Sequence, residues 1–131
     1  MTGHRQPRPG PAGAAQPAPA ILVAAVASVT DADMAIAAGA DMIDGNGLTE
    51  QNVAALRARH PGLRLWHGSP AVTDADHAGS PAAMVATAAV LAWLGTPAIR
   101  TRHVLPVRRA IDMTCSIAGT RLPAITTRGL A

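Results

Sequence analysis

Short continuous runs of apolar residues alternate with longer segments of helical spacing along this chain. The first run, Ile21 to Val26, has apolar side chains at successive positions, which is typical of a strand buried on both faces of a parallel sheet. Thr30 and Asp33 follow at capping-box spacing and predict the start of a helix, which Gly39 would end. This order recurs three more times and predicts four βα units. The predicted strands span residues 21–27, 41–44, 63–66 and 98–103, and the predicted helices span residues 31–38, 50–59, 81–94 and 107–117.

The last two helices have distinct sequence signals. Ser80 as N-cap and Pro81 at the first helical position predict a sharp start for the third helix. This helix is apolar nearly all round, so we expect it to be buried or to meet a partner. Pro106 is predicted to open the fourth helix, with Arg108 and Arg109 on its solvent side.

Four βα units predict an α/β fold with a parallel sheet and right-handed crossovers. A closed eight-stranded TIM barrel needs about 250 residues, so the chain resembles part of such a barrel. A half-barrel leaves two edges and an open core face, and it must flatten or be completed by a second copy or another chain. We expect this domain at residues 21–119, between a disordered Pro/Ala-rich tail at 1–20 and a flexible tail at 120–131.

A five-residue motif, VTDAD, occurs at residues 29–33 and again at residues 72–76. Each copy follows a predicted strand. Two interpretations stay open: both copies are helix caps drawn from the same small set of residues, or they mark a true repeat of a βα unit.

Composition narrows the class of protein. Almost half of the 131 residues are apolar, but there is no Phe or Tyr and only two Trp, so small aliphatic side chains must build the core. All 11 basic residues are Arg, and the net charge is only +3. Because the sequence contains no Arg-rich helix and no basic patch interleaved with aromatic residues, we expect no nucleic-acid binding.

The cysteine content and the apolar runs bear on the compartment. The single Cys115 has no internal disulfide partner, fits a reducing cytosol, and is interpreted as a small buried helix residue. The longest apolar run, residues 18–29, is interrupted by Pro19 and is too short to span a bilayer. Behind Arg5 and Arg8 it mimics a signal-peptide core, but it leads directly into the first predicted helix. We therefore expect a cytoplasmic protein that does not contact membranes.

Candidate ligand-binding residues stand at the carboxyl ends of the predicted strands, where parallel α/β folds bind ligands. Asp44 and Asn46 follow the second strand and can accept from and donate to a flat heterocycle. Arg100 and Arg102 share one face at the end of the fourth strand, and their forked donors suit a phosphate or pyrophosphate. Plainer roles stay open, with Asp44 as a turn cap and the arginines as solvated charges.

Histidines also follow two of the predicted strands. His67 follows the third strand and is interpreted as a loop residue without a ligand role, and His103 follows the fourth on the face opposite the arginines. No two histidines have a ligand spacing on one element, so we expect no metal site. Helix capping is the preferred explanation for Asp74 and Asp76.

Two blocks of the chain resemble the pterin-binding family, and within it the dihydropteroate synthases. Residues 39–49, GADMIDGNGLT, are similar to the early strand of the family and its Asp–Gly–Gly–Ser/Thr loop. Residues 82–113 are similar to the last barrel unit, which has an alanine-rich helix, a Gly, a strand ending in Arg-x-His-Asp-Val and a final helix. The resemblance implies a (β/α)8-type fold and the joining of a dihydropterin pyrophosphate to p-aminobenzoate in folate biosynthesis.

The chain departs from the family pattern at several points. Its first loop is one residue shorter, Arg102 stands where the family has His, and His103 stands where it has Asp. The middle strands that hold the pterin ring and the strand that carries a Lys are missing, and no Lys occurs anywhere in the chain. A transferase of this type needs that pocket to hold its electrophile and cations to stabilise the leaving pyrophosphate. We therefore expect reduced or no independent transferase activity, and no catalytic residue is assigned.

The resemblance implies a dihydropteroate-synthase-like protein that binds a pterin pyrophosphate through Asp44, Asn46, Arg100 and Arg102. It implies no resident cofactor, with Mg²⁺ only as a companion of the pyrophosphate. An alternative is a non-catalytic partner or regulatory subunit, either a homo-oligomer or a partner of another protein. It would expose the helix at residues 82–94 or an edge strand to another chain, and that association would complete its open sheet. A truncated remnant without a function is a third hypothesis. An open apolar face on the sheet would favour the partner hypothesis.

Overall fold

The computed structural model describes residues 19–119 of the chain, so the predicted tails lie almost entirely outside the described residues. Strands and helices alternate along most of this region. The elements are β1 (Ile21–Ala25), α1 (Val29–Ala37), β2 (Met42–Asp44), α2 (Glu50–Arg59), β3 (Leu65–Trp66), β4 (Thr73–Asp74), a one-turn 3-10 helix (Asp76–Ala78), α3 (Pro81–Trp93), β5 (Ala98–Thr101) and α4 (Val104–Ala118).

The five strands form one parallel sheet in the order β3-β2-β1-β5-β4. The predicted α/β class with a parallel sheet is therefore confirmed. The central strand is β1, whose Val23 is in register with Met42 of β2 on one side and with Arg100 of β5 on the other. The sheet has one more strand than predicted, because residues 73–74 form β4.

The start of α1 differs from the prediction. Its N-cap is Ser28, which has an extended backbone and accepts a hydrogen bond from the Asp31 N–H at 3.1 Å. The prediction of Thr30 as N-cap is wrong because the helix already includes Val29. Asp33 does not cap the helix either, since its carboxylate is hydrogen bonded to the side chains of Arg59, the last residue of α2, and of His60, the C-cap of that helix.

The two copies of the VTDAD motif have different structures. Residues 29–33 lie in the first turns of α1, whereas residues 72–76 contain β4 and the start of the 3-10 helix. Thr73 and Asp74 pair in parallel with Ile99 and Arg100 of β5. Asp74 Oδ1 also accepts from the N–H of Asp76, the first residue of the 3-10 helix, at 2.8 Å, so the helix-cap interpretation holds in part for the second copy. Its main structural role is the pairing of β4 with β5. The copies hold different places in the fold, so they do not mark a repeated unit.

Of the two later helix starts, that of α3 is confirmed and that of α4 is wrong. Ser80 caps α3 by accepting from the Ala83 N–H at 3.1 Å, and Pro81 is its first residue, as predicted. The start of α4 is Val104, so Pro106 lies within the first turn and does not open the helix. A proline is tolerated there because the first N–H groups of a helix have no intrahelical acceptor.

All four helices pack on one face of the sheet. The strands contribute the alternate buried residues Leu22, Ala24, Ile43 and Ile99 to this layer. The buried helix residues in the same cluster are Ala32, Ala35, Leu56, Met84, Ala88, Val104, Val107, Ala110, Ile111 and Cys115. The buried position of Cys115 on α4 agrees with its predicted role as a small core residue.

The opposite face of the sheet is covered without a helix. Val23 and Ala98 on this face are fully buried, and Trp66 and Val72 pack against them. The Trp66 Nε1–H also donates to the Pro70 carbonyl at 2.8 Å, within the segment that connects β3 to β4 at the two edges. This segment therefore lies over the sheet face that was expected to be an open core face. That expectation is wrong at the centre of the sheet, where Val23 and Ala98 are buried.

One predicted surface arginine joins two elements instead. The Arg108 side chain on α4 is only 17% exposed and contacts Asp41, before β2, at 3.1 Å. Its Nε–H also donates to Asp112 on the same helix at 3.0 Å. The prediction that Arg108 faces solvent is therefore wrong, whereas Arg109 is exposed as predicted. Within residues 19–119, no helix has the length and apolar character needed to cross a membrane.

Candidate functional site

The site begins at the carboxyl end of β2. Asp44 ends this strand and is 4% exposed, and its Oδ1 accepts a hydrogen bond from the Asn46 N–H at 3.1 Å. This bond from a carboxylate to the backbone two residues later holds the Gly-rich turn in place. A Cβ on Gly47 would lie 3.4 Å from the Val26 carbonyl oxygen, so the turn passes close to the end of β1.

Arg100 of β5 joins Asp44 to a second carboxylate. Its Nε–H donates to Asp44 Oδ2 at 2.8 Å, and its Nη1 donates to Asp74 Oδ2 at 3.1 Å. Asp74 lies on the neighbouring strand β4, directly in register with Arg100. Asp44 lies two strands away, about 10 Å at ordinary strand spacing, with β1 between them. At that position β1 has Ala25 in register with Asp44, and a methyl side chain leaves room for the guanidinium to pass.

A second group of hydrogen bonds fixes the chain after β5. Asp76 accepts from the Thr101 hydroxyl at 2.6 Å and from the Arg102 N–H at 2.9 Å. The Thr101 hydroxyl oxygen in turn accepts from the His103 N–H at 2.9 Å. These bonds fix the backbone at Arg102, while its side chain is exposed. Within residues 19–119, no carboxylate forms an ion pair with that side chain.

A cavity of about 730 Å³ opens where the carboxyl ends of β1, β2 and β5 meet α1 and α4. The four predicted ligand residues, Asp44, Asn46, Arg100 and Arg102, all line it. Its volume lies within the range of about 300–1,000 Å³ found for small-molecule sites. The other lining residues are Ala25, Val26, Ala27, Asp31, Met34, Ala35, Ala38, Gly47, Val104, Leu105 and Pro106.

The charges at the cavity are arranged unevenly. Arg100 and Asp44 line its inner wall, and Arg100 also pairs with Asp74, which is not a lining residue, so two carboxylates contact one guanidinium. The hydrogen bond to Asp44 and the charge of both carboxylates raise the pKa of Arg100 above its ordinary value, against a smaller opposing effect of burial. Arg102, at the rim, lines the cavity without an ion-pair partner among residues 19–119.

The helix α4 begins at the cavity. Its N-cap residue His103 provides no side-chain hydrogen bond to the first turn, and Val104, Leu105 and Pro106 of that turn line the cavity. The N-terminus of a helix has a partial positive charge and free N–H groups, which favour an anion nearby. This end of the cavity therefore has a positive electrostatic character.

The structure thus brings together all four predicted residues, which come from two sequence blocks more than 50 residues apart. It gives Asp44 the turn-capping role that had been left open and adds an ion pair to it. His67 and His103 do not line the cavity. Among residues 19–119, no cluster of three or more His, Cys, Asp or Glu side chains is arranged to hold a metal ion.

Sequence reasoning missed two acidic residues at the site. Asp74 was interpreted as a helix cap, and besides its bond to the Asp76 N–H it pairs with Arg100; its position in register with Arg100 follows only from the pairing of β4 with β5. Asp31 lines the cavity from the first turn of α1, where its Oδ2 accepts from the Ala27 N–H at 3.3 Å. The position of Asp31 in an N-terminal helical turn was a usable signal, because such turns face the ligand edge of a parallel α/β sheet.

Comparisons of the chain with protein-family models, with curated proteins and with solved structures returned no match.

Proposed function

We propose that this protein binds a dihydropterin pyrophosphate in the cavity at the carboxyl edge of its sheet, with reduced or no transferase activity of its own. The observation that carries the proposal is that Asp44, Asn46, Arg100 and Arg102 line a single cavity. The resemblance of the two sequence blocks to the pterin-binding family selects this ligand class.

The acidic wall of the cavity suits the heterocycle. A pterin ring presents N–H donors along one edge, and Asp44 has acceptor capacity beyond the two hydrogen bonds that it already accepts. Asn46 on the adjacent turn lines the cavity and offers both a donor and an acceptor. The exposed apolar side chains Met34 and Leu105 also line the cavity and provide surfaces against which a flat ring can pack.

The arginine side of the cavity suits the pyrophosphate. Arg100 and Arg102 line this part of the cavity, and the first turn of α4 adds the positive end of a helix. Guanidinium groups and helix N-termini are common partners of phosphate oxygens in proteins. A ligand with a donor-rich ring at one end and a pyrophosphate at the other therefore matches the polarity of the cavity.

We expect low transferase activity because the chain offers few cations to a leaving pyrophosphate. Catalysis would require cations placed to stabilise the departing pyrophosphate and a second pocket to hold the attacking amine. The chain contains no Lys, and Arg100 is already engaged by two carboxylates. Binding is therefore expected to exceed catalysis.

Isothermal titration calorimetry tests this proposal. The protein is titrated, in the presence of Mg²⁺, with a dihydropterin pyrophosphate and with the corresponding uncharged dihydropterin alcohol. We expect saturable binding of both, and weaker binding of both by Asp44→Asn. Arg109→Gln, which removes an exposed arginine of α4 outside the cavity, is the matched control. A folded protein that gives no heat with either compound would contradict the proposal.

A second candidate function is supported by exposed apolar residues on the helix layer. The helices α3 and α4 pack against each other and run in the same direction, each returning from the ligand edge of the sheet towards the other edge. Large apolar side chains near their carboxyl ends are 57% to 72% exposed. They are Val90, Trp93, Leu94, Met113 and Ile117.

These residues favour self-association through the helix layer over completion of the sheet. The edge strands β3 and β4 are only two residues long, so they offer an added strand few hydrogen-bonding groups. We infer that a second copy of the chain is the partner of this helix surface. Sedimentation velocity tests this: a dimer should dissociate in Trp93→Glu and persist in Gln51→Glu, an exposed control on α2. A wild-type protein that is monomeric at all concentrations would contradict it.

A further inference from the structure

The two arginines of the cavity have different surroundings. Arg100 is hydrogen bonded to Asp44 and Asp74, and its side chain is 31% exposed. Arg102 projects from the rim, and no carboxylate of residues 19–119 forms an ion pair with it. The proposed function treats both as neighbours of the pyrophosphate, but these surroundings give them different chemical abilities.

An anion placed against Arg100 would meet an unfavourable field. Two carboxylates flank this guanidinium at 2.8 and 3.1 Å and leave an excess of one negative charge in the group. A pyrophosphate there would either lie beside Asp44 and Asp74 or displace one of them from its partner. Both carry a cost, because like charges repel and a carboxylate as buried as Asp44 cannot be left without its partner cheaply.

Arg102 has none of these constraints. Its backbone is fixed by the bond from its N–H to Asp76, and its side chain lines the cavity beside the first turn of α4. Its donors are therefore available to a ligand at the positively charged end of the cavity.

The geometry points to a division of roles, which rests on the proposed function: Arg102 contacts the pyrophosphate, whereas Arg100 is a positioning residue that holds Asp44 for the ring and is itself anchored by Asp74. The ring thus binds to the Asp44 carboxylate, which Arg100 orients, and the pyrophosphate binds to a cation outside that ion-pair network. The recognised ligand has an uncharged, donor-rich head and an anionic tail.

The test compares four arginine variants against three probes: inorganic pyrophosphate, a dihydropterin pyrophosphate and the uncharged dihydropterin alcohol, all with Mg²⁺. Arg102→Gln should weaken the binding of inorganic pyrophosphate and of the dihydropterin pyrophosphate by about tenfold or more, and it should leave the affinity for the alcohol unchanged. Arg102→Lys should restore most of the lost affinity. Arg100→Gln should weaken the binding of the dihydropterin alcohol and of the dihydropterin pyrophosphate by the same factor. Arg100→Lys should not restore the affinity for the two pterin compounds, since an ammonium lacks the rigid fork that reaches both carboxylates.

A further variant keeps the test independent of whether Arg100→Gln folds. Asp74→Asn removes one negative charge beside Arg100 and frees one of its donors, so it should raise the affinity for inorganic pyrophosphate. The division of roles is overturned if pyrophosphate binding is insensitive to Arg102→Gln, if Arg100→Gln weakens only the anions, or if Asp74→Asn does not strengthen pyrophosphate binding.

The outcomes separate this inference from the proposed function. Binding of the alcohol without binding of pyrophosphate would overturn the role of Arg102 and leave the pterin site standing. Binding of pyrophosphate that depends on Arg102, without binding of either pterin, would support the role of Arg102 as an anion contact and contradict the proposed function. Binding of none of the three probes would overturn both.

Discussion

Arg100 and Asp44 form an ion pair of 2.8 Å between strands that are not neighbours, because β1 lies between β5 and β2. The pair connects the two sequence blocks that carry the family resemblance. It also joins the central part of the sheet to the turn after β2, since Asp44 accepts from the Asn46 N–H as well. One side chain interaction thus contributes to the stability of the fold and to the shape of the cavity.

The first prediction concerns the relative importance of the two carboxylates. Asp44→Asn should lower the free energy of unfolding by about 1.5–3 kcal/mol, because it removes a charged hydrogen-bond partner from a buried position. Asp74→Asn should lower the free energy of unfolding by less, about 1 kcal/mol, because Asp74 is 26% exposed and water screens its charge. Urea unfolding at neutral pH measures both. Equal losses, or a larger loss for Asp74→Asn, would contradict this ranking.

The second prediction concerns the acid side of the stability curve. The hydrogen bond from His60, with Arg59 also present, lowers the pKa of Asp33 below its ordinary value of 3.8. A lowered pKa means that the ionised carboxylate stabilises the fold above pH 3.8, and that this contribution is lost as the pH falls through the lower folded value. The stability difference between the wild type and Asp33→Asn should therefore be present at pH 6 and shrink below pH 3.8. A difference that is constant over this range would contradict the linkage.

The third prediction concerns the attachment of α2. Leu56 is the only buried residue of this helix and is fully buried, so the packing of α2 against the core depends on it. Leu56→Ala should lower the free energy of unfolding by about 2–5 kcal/mol. Arg57→Ala, at the exposed next position, should change it by less than about 0.5 kcal/mol. Urea unfolding followed by circular dichroism provides the measurement, and similar effects of the two variants would contradict the prediction.

The fourth prediction concerns the turn after α1. Gly39 has φ +101°, and a Cβ there would lie 3.0 Å from the Arg108 Cδ. Gly39→Ala should therefore lower the free energy of unfolding by about 1–2 kcal/mol, because it strains the backbone and pushes the arginine away from Asp41. Gly62→Ala is the matched control, since no heavy atom lies within 4 Å of its Cβ position. Thermal unfolding measures both, and equal shifts in Tm would contradict the prediction.

Much of the fold could be predicted from local patterns. A continuous apolar run identified β1, short mainly apolar segments identified three of the other four strands, and the Ser80-Pro81 signal located the start of α3. The placement of the four candidate residues at strand ends was also recoverable, because parallel strands bring their carboxyl ends to one edge. Two failures were local, since Thr30 and Pro106 were each placed at the start of a helix that begins earlier in the chain. The others depended on distant partners. The two-residue strand β4 has no apolar run of its own and exists through its pairing with β5.

The sequence by itself determined the α/β class, the order of most elements and the presence of Asp44, Asn46, Arg100 and Arg102 at the carboxyl edge of the sheet. These properties depend on burial patterns and caps within a few residues of each other. Only the tertiary structure decided that Asp74 pairs with Arg100 and that the segment after Trp66 covers the second face of the sheet. The physical reason is that charge pairing and burial between distant residues depend on how the strands are ordered, which no local pattern encodes.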